Sequence, residues 1–187
     1  MSDALSIVRR LHQHRTWVNA RLISAVEHLS EGQRRAVFEI GQGSLWKSLL
    51  HLYAAEFVWL ETNLGSDDFV LPGDLPGKIP GNQEGTGGIS RWEELVSCWS
   101  ELDGRWNEYL SGLTAAALDE FVYRKRIVSG EVKRLGTRRV DTLLHVCTHA
   151  HYTTAQVVNM LRQLGVEPLP DIMLISLARQ EEMSAGI

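Results

Sequence analysis

Between Ser90 and Gly112 the apolar residues Trp92, Leu95, Trp99, Leu102, Trp106 and Tyr109 return at alternating steps of three and four. That period belongs to one side of an α-helix and has no counterpart in a strand, whose side chains repeat every second residue. A seam carrying three tryptophans must be covered by other helices, so this segment alone points to a helix bundle. The same tryptophans would also serve as a stacking platform for a ligand, but the strict seam register favours packing in the core. Ser90 followed by Glu93 predicts a capping box at the start of this helix.

Three further segments have the period the bundle needs. From Ala4 to Leu29, the residues Val8, Leu11, Val18, Leu22, Val26 and Leu29 recur at close to helical spacing, with Ser2 or Asp3 available as N-cap. The stretch SEGQRR reads as a polar turn, and Ser44 then caps a second helix, SLWKSLLHLYAAEFVWLETNLG, that stops at Gly65. This helix is apolar on nearly every side and is expected at the centre of the molecule. The fourth runs from about Asp141 to Leu164, halted by Gly165 and followed by Pro168 and Pro170, with a short last helix expected near Asp171 to Glu182. Between Phe121 and Arg139, β-branched and aromatic residues flank Ser129-Gly130, a hairpin turn signal. The expected fold is therefore all-α, an antiparallel four-helix bundle with a small β-hairpin between the third and fourth bundle helices, forming one domain over residues 1–187. Residues from about 65 to 89 hold seven glycines and three of the five prolines. A loop of that length inside a compact domain is usually functional or mobile, with a plain excursion between helices as the alternative.

Charge narrows the partners. Lys and Arg number 19 against 23 Asp and Glu, a formal net charge of -4, so there is no global basic field for nucleic acid or an anionic membrane. The one basic cluster, YRKRIVSGEVKR, reads as a solvated hairpin. Cys98 and Cys147 are too few and too far apart for a disulfide scaffold, which fits a reducing, cytoplasmic setting. No apolar run approaches the ~20 residues of a membrane span, and the N-terminal stretch lacks the uncharged core of a signal peptide.

The chemistry lies in the histidines. In the segment LLHVCTHAHYTTAQVVNMLRQLG the inward stripe is centred on Val146, Ala150, Val157, Leu161 and Leu164. His149 and Thr153 border that stripe, His145 stands one turn before His149 on its polar side, and His151 points to solvent. His145 and His149, spaced i, i+4, can present two imidazoles to one ion, although that spacing is common in ordinary helices. His51 sits in the middle of the apolar second helix, where an imidazole without a partner would lose its hydrogen bonds. It requires either a metal or a polar partner, a backbone carbonyl or a carboxylate such as Glu56. Cys147 lies toward the core and reads as packing.

Three stretches, HRTWVNARLISAVEHLS, SLWKSLLHLYAAEFVWL and LLHVCTHAHYTTAQVVNMLRQLG, together with the tryptophan-bearing helix, resemble the DinB-like (damage-inducible) superfamily of four-helix bundles. The resemblance implies a divalent metal, zinc or nickel, bound by one histidine of the second helix and an HxxxH pair in the last bundle helix, in a segment like NHxxHHRGQ. Aligning Gln156 with the glutamine of that segment places His51 and His149 on the first two ligands, Thr153 on the third, and Thr154 where an arginine is usual. A neutral Thr hydroxyl is a much poorer ligand for such ions than imidazole. Three accounts stay open: His51 and His149 with His145 or water as substitute, weak binding through Thr153, or no bound metal at all.

The resemblance implies a metal-dependent hydrolase or a low-molecular-weight-thiol S-transferase acting on a small-molecule or thiol substrate, with the Gly/Pro-rich loop as a lid. The alternative is a non-catalytic bundle that self-associates, as a homodimer, or binds a partner. No Ser-His-Asp order, Cys-His pair or paired-carboxylate motif offers a separate catalytic centre.

Overall fold

The computed structural model describes residues 3–128 and 130–186. Helix α1 (Ala4–Glu27) opens where the Asp3 carboxylate accepts the Ser6 backbone N–H at 2.7 Å; Ser2, the other cap considered, lies outside the described residues. The polar turn expected next is a one-turn helix, α2 (Glu31–Arg35), because Ser30 and Gln33 close a reciprocal capping box. Helix α3 (Leu45–Asn63) starts on Ser44, whose Oγ accepts the Lys47 N–H.

At α4 (Trp92–Gly112) the expected Ser90–Glu93 box is replaced. Arg91 is the N-cap without a side-chain bond, and Glu94 reaches back to the Ser90 N–H. Tertiary contacts fix the entry instead: Arg35 donates to the Ser90 carbonyl at 2.9 Å, and Ile89 is buried. After a 3-10 turn (Ala116–Asp119), strands β1 (Phe121–Val128) and β2 (Glu131–Arg138) pair antiparallel, from Phe121 opposite Arg138 to Val128 opposite Glu131. Of the two turn residues, Ser129 lies outside the described residues, and Gly130 takes the left-handed φ of 82° that a tight hairpin requires. Helix α5 (Arg139–Gln163) ends ahead of Gly165, also left-handed at φ 72°. The last helix, α6 (Leu174–Ser184), begins later than Asp171, since Asp171 accepts the Met173 N–H and the Ile172 carbonyl contacts His14.

The four long helices, α1, α3, α4 and α5, form the bundle. Its directions follow from which residues meet. Arg9 of α1 donates to Leu110 at the far end of α4, and Thr16 meets Asp103, so these two helices are antiparallel. His51 meets His149 and Asn63 meets Thr142, so α3 and α5 are antiparallel as well. In contrast α3 and α4 run the same way, with Glu56 against Trp99 and Glu61 against Arg105. So do α1 and α5, with His12 against Leu143.

Parallel neighbours need a long connection, because the chain must travel back along the bundle before the next helix can start. The Gly/Pro-rich segment between α3 and α4 is that return. It has no helix or strand of its own but is internally bonded: Asp74 accepts the backbone N–H groups of Gly81 and Gln83, and the Gln83 side chain ties Pro72 to Ile89. On its way it lies directly on α3. A side chain at Gly81 (φ 86°) would put its Cβ 2.5 Å from the Leu50 carbonyl oxygen and 2.6 Å from the His51 Cα.

The tryptophan seam is core: Trp99 and Trp106 are fully buried, alongside Leu95 and Leu102. The basic hairpin is largely solvated and pinned to the residues after α3 by Lys125 and Arg134, both paired with Asp67. Among the described residues no helix is long and apolar enough to cross a membrane.

Helix α1 holds a surprise. Its buried seam includes Leu5, Val8, His12, Arg15, Asn19, Leu22 and Val26, a strict three-four repeat with three polar residues in its middle. Arg15 pairs with Glu56 of α3, both side chains being 1% exposed. Asn19 and the Trp99 indole N–H also donate to that carboxylate.

Candidate functional site

His51 lies two turns into α3, just beneath the returning loop, and its two ring nitrogens have different work. Nδ1 is 2.8 Å from the Pro80 carbonyl, which can only accept, so Nδ1 carries the proton. Nε2 therefore keeps its lone pair and faces His149 Nε2 across 3.1 Å. The rings meet edge to face with centroids 5.0 Å apart. With the His51 Nε2 lone pair as acceptor, this contact is a hydrogen bond donated by His149. Fixing one imidazole nitrogen on a carbonyl, so that the other presents a lone pair, is also how proteins orient histidines toward a metal.

Glu56, the carboxylate considered as a partner for His51, is not its partner. It faces the opposite side of α3 and is consumed by Arg15, Asn19 and Trp99. The backbone carbonyl won because the loop passes over His51 while Glu56, five residues further on, points into the bundle core.

His149 is half-buried, and desolvation first, then the neighbouring His51 and His145, push its pKa down to about 4. It is thus a neutral imidazole near neutral pH, the form that can ligate a metal. His145 stands one turn earlier, exposed, with its ring edge-on to Trp59 at 5.2 Å and 5.8 Å from the His149 ring. Thr153 is buried one turn after His149, and His151 is exposed. The structure therefore brings His51 and His149 together and sets His145 beside them against Trp59. Among the described residues, no three His, Cys, Asp or Glu side chains converge in a group able to hold a metal.

The fit of a divalent ion can be judged from the pair itself. Two nitrogens bound tetrahedrally at the usual zinc–nitrogen distance of ~2.05 Å lie about 3.3 Å apart. The observed 3.1 Å needs only a small opening of the pair. Two ligands fit; the third position is the weak one. Beside His51 opens a cleft of about 460 Å³ under the loop, lined among others by Gln42, Lys47, Lys78 and Asn82. Lys47 is one helical turn before His51 and exposed, so the mouth is polar.

Two features escaped sequence reasoning. The Pro80 carbonyl carries no side-chain signal, and only Gly81 next to it hints at a close backbone approach. The buried trio His12, Arg15 and Asn19 was legible as polar residues at seam positions of α1. Polarity alone sends such residues to the surface, which hides the seam they share with Leu5, Val8, Leu22 and Val26.

Comparison with known proteins places this architecture. The family model described as the DinB superfamily matches residues 14–157. Among solved structures, the chain is similar to YfiT from Bacillus subtilis, described as "a probable metal-dependent hydrolase with an unusual four-helix bundle topology", with a TM-score of 0.59 and 18% sequence identity over 84% of this chain and 87% of that one. At that identity the likeness speaks for the fold. No curated protein matches the sequence.

Proposed function

Because this chain belongs to the DinB superfamily, we propose that it binds a divalent ion, zinc or nickel, between His51 and His149 and acts as a metal-dependent hydrolase or low-molecular-weight-thiol S-transferase. The observation that carries this reading is the His51 ring, anchored through Nδ1 on Pro80 and aiming its Nε2 lone pair at His149. An ion held there supplies Lewis acidity, lowering the pKa of water or of a thiol at its open position.

The chain's own residues do the rest. The loop holds the His51 tautomer and orientation through Pro80 and shields one side of the pair, while burial keeps His149 unprotonated. The cleft beside His51 receives the substrate, with Lys47 and Asn82 as polar contacts at its wall. Thr153 leaves the third position with a hydroxyl, which predicts weaker affinity than three imidazoles would give.

Elemental analysis of protein purified without chelators, together with thermal melts in added zinc or nickel, tests the proposal. The parent protein is expected to carry metal or to melt higher with it, and His51→Ala and His149→Ala to lose the response. A parent without metal and without a shift sinks the reading. That result would favour the second one, which Thr153 at the third position supports: a bundle that lacks the metal and works by self-association, as a homodimer, or by partner binding.

A further inference from the structure

The basic side chains of the hairpin divide into two sets. Lys125, Lys133, Arg134 and Arg138 each have a carboxylate at 2.9–3.8 Å, whereas Arg124 and Arg126 have none among the described residues. These two stand two residues apart on β1 and so share one face of the hairpin, opposite to that of Lys125 and its cross-strand neighbour Arg134. Their face looks onto α3. Between the two elements lies a cleft of about 280 Å³, bounded by Trp59 and Thr62 of α3, by Val122 and Leu135, and by both arginines.

Arg124 is half-buried there. Its Nη1 donates to Thr62 Oγ1 at 3.2 Å, and its Cζ stands 5.9 Å from the centre of the Trp59 ring. These contacts hold the guanidinium in place but bring no negative charge to it, and its other N–H donors remain available. Burial first, and then the charge of Arg126, push the Arg124 pKa below its ordinary value. A cation taken partly out of water beside a like charge calls for an anion opposite. The cleft admits one, since Arg126 and Leu135 are exposed at its mouth and no acidic side chain lines it.

We infer that this cleft binds a small phosphate monoester, with the phosphoryl oxygens on Arg124 and Arg126 and the organic part against Trp59, Val122 and Leu135. Guanidinium forks match the oxygens of a phosphate in pairs. A phosphate monoester carries about -1.5 to -2 charges at pH 7, which balances two arginines where the single charge of a carboxylate does not. The apolar wall distinguishes an ester from inorganic phosphate, which would leave that wall uncovered. The inference stands apart from the metal reading, because the cleft includes none of His51, His149 and Thr153.

The test is calorimetric titration of the full chain, in the presence of a chelator, with phenyl phosphate, inorganic phosphate, benzoate and phenol. Phenyl phosphate is expected to bind at one site, inorganic phosphate and benzoate each about tenfold more weakly, and phenol not at all. Arg124→Gln is expected to weaken phenyl phosphate at least about tenfold, the value of a hydrogen bond to a charged group. Should that variant fail to fold, Arg126→Gln, at an exposed position, decides with the same expected loss. Arg134→Gln removes the same charge from the opposite face and should change the affinity less than about twofold, because exposed charges at a distance are screened. No binding of phenyl phosphate by the parent, any of the other three probes binding as tightly, or a loss in Arg134→Gln equal to that in the cleft variant would each overturn the inference.

Discussion

Two polar clusters stand on opposite faces of α3, and they are built by opposite rules. The Arg15–Glu56 cluster is sealed in the core, its charges matched and its carboxylate accepting from Asn19 and Trp99 as well. The His51–His149 pair lies at the rim under a loop, with one lone pair committed to nothing but its neighbour. Buried charge has to be matched within the fold or the fold fails, whereas a half-buried imidazole can wait for a ligand at small cost. The contrast separates a sealed structural cluster from a pair to which the proposed function assigns an ion.

The largest expected effect breaks the first cluster. Glu56→Gln keeps the shape and leaves Arg15 without its closest countercharge, so stability should fall by about 3–5 kcal/mol in denaturant unfolding. Replacing both Arg15 and Glu56 with methionine should cost less, because the two buried charges go together and only Asp103, 20% exposed, loses its arginine. If the single change is harmless, the core cluster does not carry the structure.

Next in size is Thr153→His, which in the proposed site would supply a third imidazole. Free zinc or nickel at a hundred times its dissociation constant should then stabilise the variant by about 2.7 kcal/mol, read as a higher melting temperature. A response no greater than the parent's would show that Thr153 does not face the pair. A large response already present in the parent and lost in His145→Ala would assign the third position to His145.

Acid should act on the core side through His12. Burial first, and then the charge of Arg15, push its pKa down to about 3, while its Nε2 donates to the Leu143 carbonyl and its ring packs on Trp106. The folded state therefore refuses a proton that the unfolded chain accepts below its ordinary value of 6.5. This contribution is complete above that value and is lost as pH falls from 6.5 toward about 3. Asp103, raised to about 6 by burial, runs the other way, with stability lost as pH rises. The difference between the parent and His12→Gln cancels Asp103 and should grow by about 1.4 kcal/mol one unit below the ordinary histidine value, against the parent.

The last change sharpens the rim. Gly81→Ala meets the backbone of Leu50 and His51 and a left-handed φ, so it should cost more than about 1 kcal/mol and lift Pro80 from His51. Introduced into Thr153→His, it should also reduce the metal-dependent rise in melting temperature. An unchanged rise would remove the loop from the site.

Much of this was written in local pattern. The four long helices, their glycine stops, the Ser44 cap and the hairpin strands depend on periodicity and on neighbours a few residues away, which the chain carries in its order. Even the two histidines that meet could be selected, His51 because an apolar helix cannot leave an imidazole unpartnered and His149 because it borders an inward stripe. What the order of residues did not decide is which partner each polar group takes. Glu56 went to Arg15 and His51 to a proline carbonyl because parallel packing of α3 and α4 sent the connecting loop back across α3. The start of α4 moved for the same kind of reason, Arg35 and the burial of Ile89 overruling a local capping box. Hydrogen-bond partners far apart in sequence are chosen by helix direction and loop path, and those are settled only when the whole core closes.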